Sequence, residues 1–156
     1  MTGPEWADRF WALVNKEGPV PAHRPELGPC WIWAGSINVR RGGYGQFSLN
    51  GRTRKAHQVS YELGVGPLPQ GTEPDHLCRV HACVNYGHLE AVTRRENFLR
   101  GEHRTAVSVR TGMCMSGEHE MTEANTIRRR GKRECRACEN AAQRRRHART
   151  SGKAVS

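Results

Sequence analysis

Six cysteines and a knot of histidines constrain this 156-residue chain more tightly than any other feature. The cysteines stand at positions 30, 78, 83, 114, 135 and 138. Only 36% of the residues are hydrophobic and 26% are charged, so the core is small and needs a covalent or metal staple. An even cysteine count would suggest disulfides in a secreted chain. The opening MTGPEWADRFWALV lacks a basic leader and carries Glu5 and Asp8, which predicts a chain kept in a reducing cytoplasm. There, cysteines beside histidines at ligand spacing read as zinc ligands. Six cysteines and two placed histidines would fill two tetrahedral sites.

The net charge of +10 points to a polyanionic partner, nucleic acid first and an anionic membrane surface second. No run approaches the roughly 20 apolar residues of a spanning helix, so no membrane partner is expected. Residues 4–17 place Trp6, Phe10 and Leu13 or Val14 at helical spacing, with a stop at Gly18-Pro19. The stretch VPAHRPELGP reads as a linker, which sets an N-terminal segment at 1–28. A short β-type run CWIWAG follows, then strands bearing Tyr44, Phe47 and Leu49, turned at Asn50-Gly51. AHQVSYELGVG reads as a short helix. Thr93 and Glu96 form a capping box that starts another helix, which runs to Gly101. The expected boundaries are a main domain at 29–101, a linker at 102–113, a cysteine module at 114–140 and a basic tail at 141–156. Trp31, Trp33, Tyr44, Phe47 and Tyr61 read as core.

The segment DHLCRVHACVNYGHLEAVTRREN, residues 75–97, separates into two chemistries. Cys78, Cys83 and His88 offer soft and borderline ligands around a tight loop and would close a zinc site with a fourth ligand, most economically Cys30. Cys30 could instead be a buried core cysteine, and His81, inside the loop, is an alternative ligand. His76, Asp75 and Asn97 offer imidazole and oxygen. Those groups suit a hard cation such as Mg²⁺ and proton transfer near neutral pH.

With this register the segment resembles the HNH endonucleases of phages and mobile introns, and more narrowly the His-Cys box homing endonucleases. The resemblance spans roughly 29–101 and includes Cys30-Trp31, the GYG at 43–45 and AHQVSYEL at 56–63. It implies an α+β fold with a ββα-metal (HNH, His-Me finger) nuclease core stapled by zinc. The implied activity is endonucleolytic hydrolysis of double-stranded DNA by a one-metal mechanism. By position, His76 would be the general base, and Asn97 and Asp75 would hold Mg²⁺ or Mn²⁺. His88, at the middle position of the motif, looks like a zinc ligand with Cys30, Cys78 and Cys83.

The second cluster is Cys114, His119, Cys135 and Cys138. Its CMSGEH half resembles the C-x3-H half of similar phage tails with one extra residue, Glu118, which implies a second structural zinc in a ribbon-like module. The intervening TIRRRGKRE reads as a basic hairpin. Arg40, Arg41, Arg52, Arg54, Lys55, Arg94, Arg95, Arg128, Arg129, Arg130, Arg144 and Arg145 are the candidate DNA contacts. A homodimer is compatible with the sequence without being dictated by it. The rival reading is a non-catalytic zinc regulator that binds DNA on the same scaffold.

Overall fold

In the computed structural model, which describes residues 5–151, the chain forms two compact units that part between Asn97 and Phe98. The first unit opens with helix α1 (Glu5–Trp11). Sequence periodicity extends this helix to residue 17, but it ends at Trp11. Strand β1 (Val14–Asn15) instead pairs antiparallel with β2 (Ile32–Trp33), and the Ala34 amide donates to the Leu13 carbonyl at 2.8 Å. The β-branched Val14 suits that extended backbone, and the distant partner outweighs local helical spacing. Helix α1 is not a separate appendage, because Phe10 is fully buried in the core of this unit. The proline-rich stretch expected as a linker is also folded. It forms a 3-10 turn at Pro25–Leu27, buries Pro21, and offers the Leu27 carbonyl to His88.

Strands β3 (Ile37–Asn38), β4 (Tyr44–Leu49) and β5 (Arg52–Lys55) form an antiparallel sheet in that order. Asn50 and Gly51 both take positive φ, 51° and 71°, which the two-residue hairpin turn requires and this dipeptide tolerates. Helix α2 (Ala56–Gly64) follows and lays Ala56 and Val59 on Phe10, Trp33, Phe47 and Val84. The Ser60 hydroxyl donates to the Val84 carbonyl and pins the helix to the segment that carries the cysteines. Five large buried side chains at roughly 1.5–3 kcal/mol each make a thin core, consistent with a need for other staples.

Strands β6 (Thr72–His76) and β7 (Leu89–Thr93) pair antiparallel, with Asp75 opposite Glu90 and His76 opposite Leu89. The chain passes directly from β7 into helix α3 (Arg94–Arg100). The expected capping box is present: the Glu96 amide donates to Thr93 Oγ1 at 3.2 Å and the Thr93 amide donates to Glu96 Oε2 at 3.0 Å.

In the second unit, residues 102–113 are not a linker but carry helix α4 (Arg104–Thr111). The ring of His103 caps it by accepting from the Ala106 amide at 3.4 Å, and Gly112 ends it at φ 71°. Strands β8 (Thr126–Arg129) and β9 (Lys132–Cys135) form the expected basic hairpin, which turns at Arg130 and Gly131. The tail is helical through Ser151 as α5 (Arg136–Ser151), and the rest of it, 152–156, lies outside the described residues. The architecture is mixed α+β, and no helix among the described residues is long and apolar enough to cross a membrane.

Candidate functional site

Cys30 enters from the segment before β2, Cys78 and Cys83 from the loop after β6, and His88 from a 3-10 turn (Tyr86–His88) before β7. Their four donor atoms lie within 4.8 Å of one another, and all four residues are buried. His88 Nε2 donates to the Leu27 carbonyl at 2.9 Å, so Nδ1 keeps its lone pair and faces the Cys30 and Cys83 sulfurs, each at 3.6 Å. Tetrahedral zinc with bonds of about 2.3 Å to sulfur and about 2.1 Å to nitrogen separates sulfur from nitrogen by about 3.6 Å. The carbonyl that orients the imidazole is the usual support for such a ligand.

The charges point the same way. The hydrogen bond from Cys83 holds the Cys78 thiol down at about 4, while burial pushes Cys30 up to about 11. The bond to Cys78, and then burial, raises Cys83. Three thiolates cannot share one buried pocket unless a cation joins them.

The second cluster has the same chemistry. Cys114, His119, Cys135 and Cys138 bring their donors within 4.8 Å of one another. His119 Nδ1 stands 3.7 Å from Cys114 and 3.4 Å from Cys138, and the two sulfurs are 3.8 Å apart. A turn at Gly117 (φ 79°), closed by its amide on the Cys114 carbonyl at 2.9 Å, absorbs the extra residue. Asn125 Nδ2 donates to Cys135 Sγ at 3.4 Å, which ties the hairpin to the cluster. Both clusters are compatible with structural zinc.

His76 lies apart from both clusters. It is 4% exposed, and its Nε2 is 2.9 Å from the Cys83 carbonyl. A carbonyl only accepts, so the proton sits on Nε2 and Nδ1 carries a free lone pair. Burial holds the imidazole below the ordinary histidine range, which keeps it in the neutral form that can accept a proton. Its neighbour Asp75 is buried and accepts a hydrogen bond from Arg79 Nη1 at 3.2 Å. Asn97, on α3, donates through Nδ2 to Glu73 Oε1 at 2.6 Å, which ties the helix to β6 two residues before Asp75. His81 is not a member of the first cluster. It is exposed, bonds the Gly42 carbonyl at 2.7 Å, and stacks on Tyr44 at 4.5 Å.

Sequence reasoning misses three residues here. Tyr44 reads as core, yet its ring lies 5.9 Å from that of His76, and burial, then Asp75 and Glu73, raises its phenol. Two carboxylates act on this one phenol, and Asp75, already paired with Arg79, could help hold a divalent cation. His57 sits on the buried face of α2 with its ring 4.8 Å from His76. Its Nδ1 is buried without a hydrogen-bond partner, and burial first, then the neighbouring His76 ring, pushes it down to about 3. A histidine in register with buried Ser60 and Tyr61 on a packed helix is the available signal. Glu73 is the third.

Of the candidate DNA contacts, Arg40, Arg52, Lys55, Arg94, Arg95, Arg128, Arg130, Arg144 and Arg145 are exposed, and the Arg41 side chain lies outside the described residues. Arg54 departs from the expectation: it closes a two-pronged pair with Glu62 at 2.8 and 2.5 Å that staples β5 to α2, and its charge is already matched. Arg129 leans to Glu134 at 3.7 Å.

Residues 54–99 match the family model of the HNH endonucleases. The matched segment contains Asp75, His76, Asn97 and three donors of the first cluster, and omits Cys30 and the whole second cluster. The uncharacterized gene 5.3 protein of Enterobacteria phage T3 is 32% identical over 65 residues. That match covers 37% of this chain and 63% of the phage protein, so the chain spans less than two thirds of that relative. No solved structure matches the chain.

Proposed function

We propose that this protein is a divalent-cation-dependent DNA endonuclease that hydrolyses phosphodiester bonds by a one-metal mechanism, with His76 as general base. One observation carries the reading: a buried, neutral imidazole, held through Nε2 by the Cys83 carbonyl, keeps Nδ1 as a base inside the segment that matches the HNH family. His76 Nδ1 takes the proton of the attacking water as the oxygen closes on phosphorus, a role worth about 10²–10⁴-fold in rate. Asp75 and Asn97 supply the oxygen ligands for Mg²⁺ or Mn²⁺. When bound, the cation neutralises charge that develops on the phosphate and on the departing 3′ oxygen. Arg79, paired with Asp75 at 3.2 Å, would share that carboxylate with the cation.

Zinc held by the two cysteine-histidine clusters is structural in this reading. The first cluster fixes the loop whose carbonyl orients His76. The second anchors a hairpin and helix whose exposed arginines grip the DNA backbone. The likeness to a phage T3 gene product supports a phage-encoded protein; a homing-like role in a bacterial cytoplasm is part of this proposal. The deciding experiment digests supercoiled plasmid with and without Mg²⁺ and scores nicked and linear products. Tight DNA binding with no cation-dependent scission would replace the enzyme with a zinc regulator.

A further inference from the structure

Glu73 and Asp75 alternate with Pro74 along β6 and so project to the same side of the strand. Glu73 is half-buried and places Oε1 2.6 Å from Asn97 Nδ2. An asparagine amide has one end that only donates and one that only accepts, and nothing in its own shape decides which end faces a ligand. A carboxylate accepts only. Beside Glu73 the amide nitrogen therefore has one stable placement, and Oδ1 is turned away from Glu73 and left available.

Resting on the reading that Asn97 is a cation ligand, we propose that Glu73 is its positioning residue: the carboxylate holds Nδ2 so that Oδ1, and not the amide N–H, is presented to the divalent cation. Without it the amide populates both orientations. Apparent cation affinity then falls by the fraction correctly oriented and, further, because the ligand oxygen is no longer held in place, while a saturating cation selects the right orientation and recovers the rate. A glutamine side chain in place of Glu73 is close to isosteric but can both donate and accept, so it removes the discrimination with little change in shape.

The test uses the full zinc-loaded chain and Mn²⁺ as probe, with binding followed by electron paramagnetic resonance. Glu73→Gln should weaken Mn²⁺ binding about 10–100-fold, the usual cost of losing an outer partner of a metal ligand. It should raise the Mg²⁺ needed for half-maximal cleavage to match and leave the saturated rate within about threefold. Glu73→Gln made in an Asn97→Asp background should cost less than about threefold, because a carboxylate has no wrong end and the introduced amide can donate to it. An equal loss in both backgrounds would make Glu73 a mere source of negative charge. No loss in the wild-type background would also overturn the proposal. If Asn97→Ala leaves Mn²⁺ binding untouched, the ligand reading itself falls, a result distinct from either. Zinc content is measured on every variant, and Glu73→Ala repeats the comparison should the glutamine variant fail to load zinc.

Discussion

Replacing His76 tests the chemistry and the scaffold at once, because its two ring nitrogens do different work. Nε2 donates to the buried Cys83 carbonyl at 2.9 Å, and Nδ1 is the proposed base. His76→Ala removes both. Loss of the base should lower the cleavage rate about 10²–10⁴-fold, or about 3–5 kcal/mol at 1.36 kcal/mol per tenfold. The carbonyl left without a donor costs about 1–3 kcal/mol of stability. Against a total of about 5–15 kcal/mol for a domain, that loss lowers the melting temperature without unfolding the chain. His76→Gln separates the two effects, because its Nε2 can reach the same carbonyl while no basic nitrogen remains. The expected pattern is an equal loss of cleavage in both variants, a melting temperature nearer wild type for glutamine, and unchanged zinc in each. Single-turnover plasmid cleavage, thermal melting and elemental zinc analysis read the three quantities. A glutamine variant that cleaves nearly as fast as wild type would remove the imidazole from proton transfer.

Cys30→Ser should drop zinc content from about two per chain to about one and sharply lower the melting temperature of the first unit, since a structural site is worth about 10–16 kcal/mol. Full zinc retention would reject Cys30 as a ligand. His57, whose pKa is lowered to about 3, binds fewer protons folded than unfolded, so its contribution is complete above the ordinary histidine value near 6.5 and fades as pH falls from there toward 3. His57→Gln, followed by acid unfolding with zinc release monitored, should move the midpoint to lower pH; an unmoved midpoint would contradict a buried neutral ring. Replacing Arg144 and Arg145 by alanine should weaken binding to all duplexes alike and flatten the log–log salt slope by about two. An unchanged slope would take α5 off the DNA.

The cysteine-histidine clusters are legible in the sequence because metal ligands leave spacing behind. Cys78, Cys83 and His88 lie close together along the chain, and only Cys30 has to be recruited from far away. The Asn-Gly turn and the Thr93–Glu96 cap are equally local. What escapes is non-local or disguised. Val14 and Asn15 continue a helical pattern and are claimed by a distant strand at Ile32–Trp33. Helix α4 is polar, carries few apolar anchors, and starts on a histidine, an unusual cap. Glu73 has no motif around it, because its meaning comes from Asn97, 24 residues later. Tyr44 reads as core because an aromatic on a strand has the same signature whether it packs inward or lines a site.

Residue 83 contributes twice, with its sulfur to the first cluster and its backbone oxygen to the imidazole of His76. Changes there cannot separate folding from chemistry, whereas changes at position 30 remove sulfur alone. The constraint also reaches the spacing. Lengthening the loop between positions 78 and 83 by a residue leaves four donors free to gather, yet it rotates the peptide plane that grips the ring. If His76 is the proposed base, insertions in this loop should therefore yield metal-replete, well-folded and catalytically dead proteins, and its length would matter as much as any side chain.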